Sequence, residues 1–128
     1  MATSEYQFLG LRTVGYIVGE LQTARDWYTE VLGFSPYFDE PFYVGFNVGG
    51  YELGLMPADE VNKPGGGGVL ALWGVENAQA AFDWLQLKGA TAREAIQDVG
   101  GGIKVATFFD PFGNILGIIE NPHFGLPK

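Results

Sequence analysis

Glu52 is the residue of this sequence with the most direct chemical use. It sits in YELGLM (residues 51–56), an otherwise apolar run where a carboxylate is out of place unless it has a partner. A positioned carboxylate can act as a general acid or base. Tyr37, Tyr43 and Tyr51 are the hydrogen-bond donors that could serve it. The competing reading is a rim residue on a short strand. Few other groups offer chemistry. The chain has no cysteine, which removes disulfides, thiolate nucleophiles and zinc–thiolate sites. His123 is the one histidine, in Asn121-Pro122-His123-Phe124, and a surface or subunit-contact role is expected for it over a ligand role. No serine has a nucleophile-elbow setting. The glycine clusters at 65–68 and 100–102 run into strand candidates and lack the GK[ST] or G-x-G-x-x-G context, so they read as linker and turn, not as phosphate loops.

Composition narrows the partners. Seven basic residues against fifteen acidic ones give a net charge of −8, which disfavours nucleic acid and is compatible with a neutral or cationic ligand. Apolar residues make up 47% of 128 residues, enough for one domain with a real core. The longest uninterrupted apolar run, VLALW (residues 69–73), is far short of a membrane span. The N-terminus lacks a basic segment followed by a long apolar one, so a cytoplasmic protein is expected.

The elements that must position Glu52 come in two similar sets. Residues 11–18 (LRTVGYIV) read as a strand. Residues 21–32 place apolar side chains at 21, 24, 27, 28, 31 and 32, one face of a helix. Residues 34–38, 42–48 and 51–56 read as three strands, with Gly49-Gly50 as a two-residue hairpin turn. The order then repeats: a strand at 69–75, a helix at 78–87, and strands at 95–99, 103–109 and 114–119. Trp27 matches Trp84 at an offset of 57, as do Val18 with Val75 and Ala24 with Ala81. In the closing hairpins the offset is 63, laying GYELGLM on GNILGII and Phe46 on Phe109. Such self-similarity points to a duplicated βαβββ unit. Module one covers about residues 10–57, a Pro/Gly-rich linker 58–68, and module two 69–121, within a single domain of residues 1–128.

A duplicated βαβββ unit, a helix ending in YTEVLGF, and a DPFGN turn before the last strand together resemble the vicinal oxygen chelate superfamily, the group of glyoxalase I, bleomycin-resistance proteins and extradiol dioxygenases. The resemblance spans nearly the whole chain. It implies an α+β fold in which two βαβββ modules form one curved mixed sheet, a partly open barrel, with helices on the outer face. It also implies, in metal-dependent members, one divalent ion held by His, Glu or Gln from the first and last strand of each module. Those positions fall here on Thr13, Gly54, Leu70 (or Val69 if the register slips by one) and Gly117, the last being four residues after the turn glycine Gly113. None carries an imidazole, carboxylate or carboxamide, so no metal cofactor is expected.

Strand alternation then gives the expected lining of the concavity. If Leu53 and Leu55 face the helices, Glu52, Gly54 and Met56 face the cavity. The same parity adds Thr13, Leu70, Leu72, Ile115 and Gly117, and the repeat adds Phe46 and Phe109. Such a pocket suits a small apolar or aromatic ligand, and the acidic charge is compatible with a cationic one. The expected function is metal-independent small-molecule binding, such as drug or metabolite sequestration, by a homodimer. The alternatives are a glyoxalase-like lyase or isomerase, or a dioxygenase-related enzyme, using Glu52 in a modified site, and a partner domain whose concavity is filled by its own side chains.

Overall fold

The computed structural model describes residues 11–125. Ten elements follow one another: β1 (Thr13–Val18), α1 (Leu21–Leu32), β2 (Phe38–Glu40), β3 (Tyr43–Val48), β4 (Tyr51–Pro57), β5 (Leu72–Gly74), α2 (Ala78–Leu87), β6 (Thr91–Asp98), β7 (Lys104–Phe109) and β8 (Ile115–Glu120). They form two four-stranded mixed sheets, ordered β1-β4-β3-β2 and β5-β8-β7-β6, each with one helix packed on it. In each sheet the first and last strands of a module run parallel and the hairpin strands antiparallel. This is the expected duplicated α+β architecture. Each module contributes one of the two sheets, and neither is closed into a barrel. No described helix is long and apolar enough to cross a membrane.

Both helices match the ranges read from their 3.6-residue pattern. The α1 helix ends where Gly33 takes φ 85°, and its N–H returns to the Thr29 carbonyl. The α2 helix starts at Asn77, whose side chain accepts from the Ala80 N–H at 2.9 Å. Glu120, at the end of β8, takes the Ala78 N–H at 2.7 Å, so the last strand fixes where the second helix begins.

Strand ends differ from the sequence reading for local reasons. β2 begins at Phe38, not residue 34, because Pro36 has no N–H to give to a ladder. β5 is only Leu72–Gly74, since Val69 and Leu70 run on from the glycine linker and stay exposed. β6 begins at Thr91, four residues early, as a bulged edge strand whose charged residues hide it from apolar periodicity.

The core is one cluster drawn from both modules. Val44, Phe46, Leu53 and Leu55 of one module join Ala106, Phe108, Leu116 and Ile118 of the other, with Tyr16, Tyr28 and Leu85 between. Each large side chain buried this way stabilises the fold by about 1.5–3 kcal/mol. The contacts between modules repeat the offset of 57. The Trp27 indole N–H donates to the Lys88 carbonyl at 2.8 Å, and the Trp84 indole N–H donates to the Val31 carbonyl at 3.0 Å. The Trp73 indole N–H donates to the hydroxyl of its own repeat mate, Tyr16, at 3.1 Å. Reciprocal contacts between equivalent residues are what a two-fold arrangement of duplicated units produces.

Candidate functional site

Glu52 faces away from α1, as alternation required. Its neighbours Leu53 and Leu55 are buried against the helix, while Glu52 is half-buried on the open face of the first sheet. There it is held by two phenols. The Tyr37 hydroxyl donates to Oε1 and the Tyr43 hydroxyl to Oε2, each at 2.5 Å. Charge-assisted hydrogen bonds of this length are strong ones. They favour the neutral form of both phenols. The Tyr43 phenol is pushed up to about 12, first by burial and then by its bond to the Glu52 carboxylate. The Tyr37 phenol is raised chiefly by the same carboxylate.

Glycines make this arrangement possible. Gly15, Gly54 and Gly45 lie side by side across β1, β4 and β3. The Tyr43 ring lies on Gly54, where a Cβ would sit 2.8 Å from Cζ. A Cβ on Gly45 would stand 3.1 Å from the Tyr37 ring and 3.2 Å from Glu52 Oε2. Met56 lies on Gly15, its Cε 2.5 Å from the place a Cβ would take. The flat floor lets three side chains lie down across the sheet.

Beside this clamp an open groove of about 450 Å³ is lined by Arg12, Thr13, Tyr37, Asn47, Tyr51 and Glu52. Among the described residues Arg12 makes no ion pair, although the Glu52 N–H donates to its carbonyl at 3.0 Å. The Asn47 carboxamide oxygen accepts from the Gly50 N–H at 2.8 Å.

The equivalent face of module two is built differently. Gly117 is covered by Leu72, whose Cδ2 would sit 2.7 Å from a Cβ there, and by Leu70 at 3.4 Å. Phe109 stands opposite Ile115 and stays partly exposed. The buried Thr107 hydroxyl donates to Glu94 at 2.9 Å, and Arg93 pairs with Glu94 at 2.8 Å.

The expected site residues therefore divide between two surfaces. Thr13, Glu52, Gly54 and Met56 lie on the first sheet, and Leu70, Leu72, Phe109, Ile115 and Gly117 on the second; the groove is lined by module-one residues alone. Phe46 belongs to neither surface. It pairs with Leu53 and is fully buried on the helix side. The turn between β7 and β8 is one residue longer than Gly49-Gly50, so the structural partner of Phe46 is Phe108, not Phe109. A one-residue slip reverses every side chain of a strand. The sequence reading missed Arg12, Gly45 and Asn47. Gly45 carried a usable signal, since alternation places it on the same face as Tyr43.

The donor set does not fit a divalent ion. The four positions where the resemblance implies ligands carry Thr13, Gly54, Leu70 and Gly117, and among the described residues no three His, Cys, Asp or Glu side chains come together. His123 is at the surface, its Nε2 2.7 Å from the Gly101 carbonyl, where it ties the C-terminal segment to the 100–102 turn.

Known structures share this architecture. A glyoxalase-related enzyme from Fulvimarina pelagi aligns with a TM-score of 0.76 at 17% identity, covering 94% of each chain. A superfamily member from Sphaerobacter thermophilus aligns with a TM-score of 0.74 at 22% identity, over 89% of this chain and 98% of its own. A lactoylglutathione lyase from Agrobacterium tumefaciens aligns with a TM-score of 0.71 at 17% identity, over 94% of this chain and 100% of its own. At these identities the likeness is one of fold. No curated protein matches the chain significantly. The family model for the Glyoxalase/Bleomycin resistance protein/Dioxygenase superfamily matches residues 10–118, and the chain belongs to that superfamily.

Proposed function

We propose that the protein binds a small molecule without a metal, in the groove beside Glu52, in the manner of a sequestering protein for a drug or metabolite. The observation that carries this is the clamp itself. A carboxylate fixed by two neutral phenols beside an open groove is a prepared polar anchor among aromatic side chains. The filling of Gly54 by Tyr43, and of Gly117 by Leu70 and Leu72, supports the metal-free reading. Elemental analysis of purified protein tests it: about one equivalent of zinc, nickel, manganese or iron per chain, kept after mild chelation, would overturn it.

The homodimer belongs to the same proposal. Leu70, Leu72 and Phe109 are 46%, 41% and 43% exposed on one face, an apolar surface of the sort a second copy covers. Native mass spectrometry reports the oligomeric state and any retained ligand together, and a monomer at micromolar concentration would count against it. The acidic, cysteine-free composition supports a cytoplasmic location, which cell fractionation tests.

A second reading is an enzyme of lyase or isomerase type with Glu52 as the base. The place of Glu52 on the wall of an open groove favours it, since a carboxylate there can take a proton from a bound substrate. Glu52→Gln separates the readings. Lost turnover with affinity intact supports the enzyme, whereas lost affinity supports binding.

A further inference from the structure

We propose that the groove takes a small zwitterion, with an alkylated ammonium group against Glu52 and its tyrosines and an anionic group against Arg12. This rests on the small-molecule-binding reading above and names its ligand class. The two charges are the reason. Glu52 and Arg12 line the same groove, and no ion pair joins them. A simple cation would meet the Arg12 guanidinium, and a simple anion would meet the Glu52 carboxylate. One molecule carrying both charges satisfies both walls.

The form of the cation follows from the clamp. Each Glu52 oxygen already accepts a short hydrogen bond from a tyrosine. Those two bonds take the best acceptor directions of the carboxylate. A primary ammonium or a metal ion would have to compete for them. An alkylated ammonium needs only negative potential and aromatic walls, which Glu52, Tyr37 and Tyr51 provide. The two hydrogen-bond partners of the carboxylate are neutral hydroxyls, not cations. At the other end, Asn47 and Arg12 both line the groove and can share an anionic group.

Calorimetric titration with trimethylglycine, tetramethylammonium, acetate and glycine tests this on the intact protein. Trimethylglycine is expected to saturate the groove at about millimolar concentration, with each of the other three about tenfold weaker. Glu52→Gln should weaken trimethylglycine about tenfold, and Arg12→Gln should bring it down to the level of tetramethylammonium. Unchanged melting temperatures confirm that both variants fold. Trimethylglycine binding that neither substitution alters, or none at about 50 mM, overturns the proposal. Indole serves as a neutral probe. If indole alone binds the groove, the zwitterion falls and small-molecule binding stands; if no probe binds, both fall.

Discussion

The Tyr28 hydroxyl on α1 donates a 2.7 Å hydrogen bond to the buried Asp110 carboxylate, which opens the turn between β7 and β8. The other oxygen of Asp110 accepts the N–H groups of Phe112 and Asn114, both at 2.9 Å. Asn114 in turn donates to the Ile17 carbonyl at 2.8 Å and accepts from Gly65 at 3.0 Å. The DPFGN turn is thus a junction where strand, helix, linker and second module are bonded together.

Asp110→Ala is expected to lower unfolding free energy by about 2–4 kcal/mol, because it strands the buried Asn114 N–H, the part-buried Phe112 N–H and a buried phenol. Tyr28→Phe removes one donor and should cost about 1–2 kcal/mol. Urea denaturation of both variants and of the double mutant measures the coupling. Additive losses would show that the two side chains act independently.

Stability should fall above pH 10. Burial and the nearby Asp110 charge push the Tyr28 phenol well above its ordinary value of 10.0, and burial raises Tyr16 as well. Below pH 10 these phenols are neutral in both the folded and the unfolded chain, so their contribution is intact. As pH rises further, the unfolded chain ionises while the folded one resists, and the balance shifts toward unfolding. Thermal melts between pH 8 and about pH 12 test this. Tyr28→Phe should show a shallower alkaline loss than the parent, and an identical slope would remove Tyr28 from the explanation.

Phe46 and Phe109 match in the sequence repeat yet should respond very unequally to truncation. Phe46→Ala and Phe108→Ala each empty a fully buried site and should cost about 3–5 kcal/mol. Phe109→Ala acts on a side chain 43% exposed and should cost under about 1 kcal/mol. Denaturation midpoints of the three variants check the register directly.

Gly54→Ala should dismantle the clamp without touching its members. The added methyl meets the Tyr43 ring and drives it off Glu52. The Tyr43 phenol should then titrate closer to 10.0 than to about 12. Phenolate absorbance against a Tyr43→Phe reference measures this. A Tyr43 titration unchanged from the parent would mean that Gly54 is not what lets the ring lie down.

Duplication made the fold legible in the sequence. Helix ranges, hairpins and the core role of Leu53 and Leu55 follow from periodicities and offsets that many residues enforce at once. The face of β4 that carries Glu52 was equally readable, because alternation along one strand needs no knowledge of its neighbours. Relations between strands were not. The face of Phe46 turned on one extra residue in the second hairpin, and the early start of β6 was hidden by its charged edge. Nor could the sequence say that Tyr37 and Tyr43 converge on one carboxylate, that Tyr43 lies on Gly54, or that Arg12 shares a groove with Glu52. Those facts depend on the register of three strands side by side. Register is set by the packed core and the hairpin turns, and only the tertiary structure brings these together.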